Sequence, residues 1–300
     1  MAIGKYFPEL RFFCDYIASL AILATVTEAS VTKPGNASRY RDIKSVSFDD
    51  LVASAILTAP FYSRACEWGY YGEGKVYQGL LEAVREVKAL SRNYAIFGTA
   101  LLLFPLLYES ANARSSRELT ARATQLVMTL GSDEAEFVKL SLSELGLSYL
   151  GRLDSNFDFR EFRGSLYDMM RFSSDVDEVA RELVSGYRLS LKAYGTIKKE
   201  GVVRAFLKVL CEQPDTLILR KSGSKAALTV SQKACDAYNG VIGFEEFDSY
   251  LVQNGLNPGS TADIIATALF LKSYDDWWAL HPDYSGYLRK GCGRVTRKSD

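Results

Sequence analysis

The sequence predicts an all-α protein: a single compact multi-helix domain with a buried central helix or helix pair. Three observations carry this expectation. Apolar residues recur at three- and four-residue intervals in nearly every segment, and strand-like alternation is scarce. Two segments, near residues 12–26 and 100–107, are apolar on almost every side, as helices enclosed by other helices are. There is no G-x-x-x-x-G-K-[ST] loop and no G-x-G-x-x-G after a strand, so the usual α/β nucleotide folds find no support.

The elements follow in order. Residues 8–29 form the first predicted helix, whose last turn carries Glu28. An acid at that end opposes the macrodipole by ~0.3–1 kcal/mol. Pro34 cannot continue the helix, and Gly35 can take positive φ. Ser47 with Asp50 makes a capping box opening a helix to about residue 67. A Gly/Tyr-rich loop precedes helices at 76–90 and 94–112, the second kinked or restarted at Pro105. Amphipathic helices are expected at 118–130 and 133–150. Between 151 and 160, Asp154, Asn156 and Asp158 alternate as in a calcium loop, but the Gly and closing Glu of such loops are missing. Helices at 162–172, 175–199 and 201–212 follow, with Ser174 and Asp177 as a second capping box. Leu217-Ile218-Leu219 fits a short strand or part of a broken helix. Helices resume at 225–238 and 244–254. After the Asn257-Pro258-Gly259 turn, Ser260 caps an apolar helix running to about Tyr274, with Asp263 as the acid of a capping box. Residues 1–275 form the domain, and 276–300 an aromatic and then basic C-terminal extension.

Composition bounds the function. The 300 residues carry 36 basic and 36 acidic side chains, a formal charge of zero. That argues against a nucleic-acid partner, whose binding rests on phosphate neutralisation. None of the five cysteines is spaced as C-x-x-C, so neither a zinc site nor a redox dithiol is indicated. The odd count and the absence of a signal peptide point to a reducing cytoplasm. The N-terminal apolar run contains Asp15 and is expected to be too short for a bilayer, so no membrane partner is expected. His281 is the single histidine, so acid–base work elsewhere falls to carboxylates, lysines or tyrosines.

Polar groups interrupt the helical pattern at four main places: Glu28 to Asp42 with Lys33, Gly35, Arg39 and Arg41; Asn93 with Gly98; Asp215 with Arg220, Lys221 and Gly223; and Gly259, Ser260 and Asp263. Asp168 is a weaker fifth. Each has a plain structural reading as a cap, a turn or a packing glycine. A phosphorylated ligand with Mg²⁺ accounts for the set together. Cations and a helix N-terminus at Ser260 would hold phosphates, and a few acids would hold a metal that completes its shell with phosphate and water.

At these residues the chain resembles the triphosphoribosyl-dephospho-CoA synthase family, in its shorter archaeal-type branch. The family's Glu-x-Ser-x-Pro-Lys-Pro-Gly-Asn is similar to Glu28 through Asn36, with Thr32 for the first proline. Its Arg-Phe-His-Asp-Phe block resembles Arg39 through Ile43, with Arg41 where relatives carry histidine, and the helix after it resembles Phe48 to Ala55. Asp-Thr-x-x-x-Arg-Lys-x-Gly is matched from Asp215 to Gly223, and Asn-Pro-Gly-x-Thr-Ala-Asp-x-x-Ala from Asn257 to Ala266. A Thr-Asn-Thr-x-x-Gly block is reduced to Asn93 and Gly98. The resemblance implies an all-α transferase that moves the triphosphoribosyl group of ATP onto 3′-dephospho-CoA or a related acceptor, releasing adenine. It assigns catalysis to Glu28 and Asp215. Substrate contacts fall to Lys33, Gly35, Arg39, Arg41, Asn93, Gly98, Arg220, Lys221, Gly223, Gly259 and Ser260, and Mg²⁺ to Asp42, Asp168 and Asp263. The other reading open at this point is a non-catalytic helical protein that keeps the pocket for a nucleotide or partner. The oligomeric state is not legible.

Overall fold

The computed structural model describes residues 8–43, 46–90, 93–146 and 162–284, with residues 286 and 288. These form α1 (Pro8–Ser30), α2 (Phe48–Tyr71), α3 (Gln78–Leu90), α4 (Phe97–Glu109), α5 (Ser116–Thr129), α6 (Ser132–Leu145), α7 (Leu166–Ser173), α8 (Glu178–Ser185), α9 (Arg188–Glu200), α10 (Val202–Glu212), α11 (Thr216–Tyr238), α12 (Phe244–Gln253) and α13 (Gly259–Leu280). Among the described residues there is no strand, only two isolated bridges in the loop between α1 and α2.

The two central helices are α4 and α13, which pack on each other. Every residue of α4 from Thr99 to Leu107 is buried. Pro105 lies inside this helix without ending it. Proline removes the N–H that would bond the carbonyl four residues back and crowds that turn. Tyr77 donates its hydroxyl to the Leu101 carbonyl at 3.1 Å, and Tyr187 donates to the Leu102 carbonyl at 2.9 Å. Both phenols are fully buried, and burial pushes their pKa values well up, so they stay donors. The carbonyl that the proline leaves without its helical donor, that of Leu101, is thus satisfied by Tyr77, a side chain distant in sequence, and Tyr187 adds a donor at the neighbouring carbonyl. On the α2 side, a Cβ on Gly69 would fall 1.6 Å from the Tyr108 carbonyl oxygen, so only glycine permits that approach.

Several sequence expectations are corrected. The helix expected over 175–199 is two helices, broken where Gly186 and Tyr187 both take positive φ, 85° and 55°. The break holds because the buried Glu182 carboxylate accepts from the Leu189 and Ser190 N–H groups at the start of α9. Asp177 is itself the N-cap of α8, accepting from Ala180 N, so Ser174 plays no capping-box role. Of the two alternatives for Leu217-Ile218-Leu219, the broken helix is the one found: the three residues lie in α11 ahead of its break at Gly223. The last helix runs on to Leu280, and its Trp277 and Trp278 rings pack on Phe13 at 5.1 and 5.7 Å. Asp154, Asn156 and Asp158 lie outside the described residues.

By length and composition α1 is sufficient to cross a membrane, contrary to the length expected from its apolar run. In the fold, Phe13, Cys14, Ile17 and Ala21 on one of its faces are wholly buried, and the helix packs on α2 and α13. Cys14 forms a disulfide with Cys66 of α2, and Cys211 of α10 with Cys235 of α11. Helix packing makes these pairs, at sequence separations of 52 and 24, so no short spacing announced them.

Candidate functional site

The loop after α1 and the turn before α13 are joined. Asn36 donates its Nδ2 to Asn257 Oδ1 at 2.6 Å and, at 3.4 Å, to the Pro258 carbonyl. Gly35, at φ 73°, lies so close that a Cβ there would meet the Leu256 carbonyl oxygen at 2.7 Å. The two Pro-Gly turns thus meet, and the end of α1 is set beside the start of α13. Between these ends and α4 lies a cavity of about 500 Å³. Of the residues expected from sequence, Glu28, Asn93, Gly98, Arg220, Lys221, Gly259, Ser260 and Asp263 line it.

Glu28, buried, and Asp263, half-buried, are two acids of this wall. Asp263 accepts a hydrogen bond from the Thr99 hydroxyl at 2.7 Å. It is not the acid of a capping box, because α13 starts at Gly259 without a side-chain cap. Its carboxylate occupies the space a side chain on residue 98 would need: a Cβ on Gly98 would stand 2.1 Å from Asp263 Oδ2. Burial pushes the Asp263 carboxyl up to about 7; the Thr99 hydroxyl opposes this, and the charges of Glu28 and Asp215 add to it. Burial raises the Glu28 pKa too, but the Lys33 ammonium, 3.1 Å from its Oε1, pulls the other way. Among the described residues no cation pairs with Asp263.

Other expected residues take structural roles, each for a visible reason. Lys33 is fully buried away from the cavity wall, and its ammonium bonds the Glu28 carbonyl and, at 2.7 Å, that of Val31. It closes the C-terminus of α1, where carbonyls lack partners. Arg41 forms a two-pronged ion pair with Asp248 of α12 at 2.5 and 2.7 Å, and Asp248 also accepts from Gly35 N–H at 2.9 Å. Arg39 is exposed over the Tyr40 ring. Asp215 lies outside the wall, its oxygens taken by Leu217 N, Ile218 N, Thr261 N and the Thr261 hydroxyl at 2.8–3.0 Å. It is the N-cap of α11 and ties that helix to α13. Gly223, at φ 84°, kinks α11 and is not on the wall.

The three acids expected to hold Mg²⁺ do not converge. Asp42 is exposed and accepts from Phe48 N–H at 3.0 Å. Asp168 accepts from the Ser165 hydroxyl at 2.6 Å in the first turn of α7. Among the described residues no three acidic, histidine or cysteine side chains form a metal-binding group. The residues present therefore do not fit a dedicated protein metal cage.

Asn36, Asp177 and Lys88, none of them in the set expected to contact substrate, complete the wall beside Ser260. Asn36 lines it, and its buried Oδ1 accepts no hydrogen bond within the protein. Asp177 lines it and pairs with Arg220. Lys88 of α3 stands at the rim. Ser260 receives the Thr216 hydroxyl at 3.0 Å, and Thr216 in turn accepts from Glu178 N–H. With its acceptor side used, Ser260 has its own proton to donate. No local pattern marks these residues, because each acquires its role from a partner in another helix.

The chain can now be set against known proteins. A family model described as ATP:dephospho-CoA triphosphoribosyl transferase matches residues 14–282. A crystal structure from Archaeoglobus fulgidus, of a chain named as a candidate triphosphoribosyl-dephospho-CoA synthase, is similar over 75% of this chain and 99% of that one, with 26% identity and a TM-score of 0.61. No curated protein gives a significant match. With the family match running over nearly its whole length, this chain belongs to the ATP:dephospho-CoA triphosphoribosyl transferase family.

Proposed function

We propose that this protein transfers the triphosphoribosyl group of ATP to the ribose 2′-hydroxyl of 3′-dephospho-CoA, with Glu28 and Asp263 as the reacting carboxylates. The supporting observation is their unequal setting on one cavity wall: Glu28 beside Lys33, and Asp263 with Thr99 as its donor, no paired cation among the described residues, and a pKa pushed up to about 7. The C1′–N bond of ATP breaks and a C1′–O bond to the acceptor forms. Adenine leaves with a proton, and the acceptor hydroxyl gives one up. Asp263, protonated at the start, donates to the departing base and then, as a carboxylate, receives the hydroxyl proton. Glu28, the acid with a cation beside it, supplies the negative charge that stabilises oxocarbenium character at C1′.

The other wall residues bind. Arg220, Lys221 and the N-terminus of α13 are proposed for the triphosphate, where cations and free N–H groups favour an anion. Asn36 Oδ1 is an acceptor for a ribose hydroxyl. Magnesium enters this reading only as the counter-ion of ATP, held by phosphate and water, since the protein offers no three-acid group for it among the described residues. The cytoplasm expected from the sequence stays the proposed compartment, against which stand the Cys14–Cys66 and Cys211–Cys235 disulfides, bonds more typical of oxidising surroundings.

The test is adenine release from ATP with dephospho-CoA present, followed by mass analysis of the acceptor. A product heavier by a triphosphoribosyl group is expected. ATP that binds but never loses adenine would instead favour a nucleotide-binding protein without turnover.

A further inference from the structure

The cavity is divided by chemistry. One end holds Glu28, Asn36, Ser260, Asp263, Arg220 and Lys221. The other is walled by Leu101 of α4, Val138, Leu142 and Leu145 of α6, and Met169 and Met170 of α7. These six side chains offer no N–H or O–H donor; the polar lining residues next to them are Ser173 and Lys88, whose ammonium already bonds the Glu144 carbonyl, so a phosphate among the six would lose its water with little in return. A triphosphate is thereby better placed at the first end, where Arg220, Lys221 and the start of α13 lie. The aromatic rings of the cavity, Tyr94 and Phe97, lie elsewhere on its wall, on the segment that begins α4. The two adjacent methionines are unbranched and adaptable, and suit a flexible chain better than a rigid flat ring.

Resting on the transfer reading above, we propose that this apolar end receives the thiol-ended arm of dephospho-CoA. Of the two substrates, only the acceptor carries such a part. ATP is a base, a sugar and phosphates, whereas dephospho-CoA is ADP extended by a chain with methyl and methylene groups. Acceptor choice is then made by α6 and α7, and donor binding by α1, α11 and α13. The division also explains why the residues of α6 and α7 at this end are apolar although they face a cavity. A wall left open to water gains nothing from apolar side chains, and one covered by an apolar chain does.

The arm can be tested by omission, because ADP is dephospho-CoA without it. Equilibrium binding to the whole protein is measured for both. Wild type is expected to bind dephospho-CoA about tenfold or more tighter than ADP, the scale of a partly buried chain. Leu142→Gln and Met170→Gln, close in size to the originals, should shrink that ratio to about twofold with ADP affinity unchanged, while Met170→Leu keeps it. Equal affinity of wild type for the two ligands overturns the proposal, and so does a glutamine variant that weakens ADP as much as dephospho-CoA. If a variant does not fold, the wild-type ratio alone decides. A preserved preference with no adenine release supports the arm site and sinks only the transferase reading, so the two failures are distinguishable.

Discussion

Asp215 is fully buried and Asp263, on α13 itself, is half-buried; both lie near the start of that helix, yet they do opposite things. Asp215 is saturated by four donors from two helices. Asp263 has the Thr99 hydroxyl and faces the cavity. Burial raises both pKa values, so the shift alone does not separate them. The hydrogen-bond accounting does. A carboxylate whose lone pairs are all used holds helices together, and one with spare capacity beside a cavity is available to a substrate. The proposed roles therefore differ from the expectation from sequence, which put Asp215 at the reacting centre and Asp263 on a metal.

The comparison can be broken by substitution. The largest effect is expected for Asp263→Asn, which keeps an acceptor for Thr99 and the shape over Gly98. Adenine release should fall by about 10²–10⁴-fold, the range for a general acid–base group, with a melting temperature no lower than wild type. A loss of less than tenfold would remove Asp263 from the chemistry. Asp215→Ala should do the reverse, costing about 3 kcal/mol in urea unfolding through the lost N-cap and the orphaned Thr261 donors. ATP affinity in the fraction that remains folded should change little.

The pH dependence sharpens the contrast further. The Asp263 pKa is raised from 3.8 to about 7 on folding, so in that window the native state holds more protons than the unfolded one. Stability then falls as pH rises from about 4 towards 7. Glu28, Glu178 and Asp215, also raised by burial, push in the same direction. Denaturation across this window should show the decline in wild type and a shallower one in Asp263→Asn. Adenine release, which needs the protonated form, should drop above about pH 7 in wild type. The smallest effect is expected at the exposed edge of the site. Arg41→His breaks a half-buried ion pair with Asp248 and should cost about 1 kcal/mol, with ATP affinity within about twofold.

The fold was largely legible, because burial stripes at helical spacing are local signals. The apolar runs that became α1 and α4 and the capping box at Ser47 each speak for themselves. Boundaries set by distant partners were not legible. Nothing near Tyr187 says that Glu182 will cap a second helix there, and nothing near Pro105 says that Tyr77 will supply the missing bond. At the site, residue types were easier to find than roles. Lys33 and Arg41 look in sequence like cations awaiting a phosphate, until Glu28 and Asp248 are seen beside them. Thr99 carries no signal before α13 is packed against it, and Asn36, though it ends the motif that begins at Glu28, shows nothing of its partner Asn257.

What the sequence determined by itself is the helical class, the stopping of α1 at its Lys-Pro-Gly turn, and the polar stretches that bear the family resemblance. These depend on periodicity, on backbone geometry and on residue order. The tertiary structure alone decided which acids line the cavity, which cations are already paired, and where its lining is apolar. Those outcomes depend on burial and on hydrogen-bond partners more than 100 residues apart in the chain, as for Thr99 with Asp263 and Asn36 with Asn257. Desolvation and pairing act through space, and a single sequence records only the neighbours along the chain.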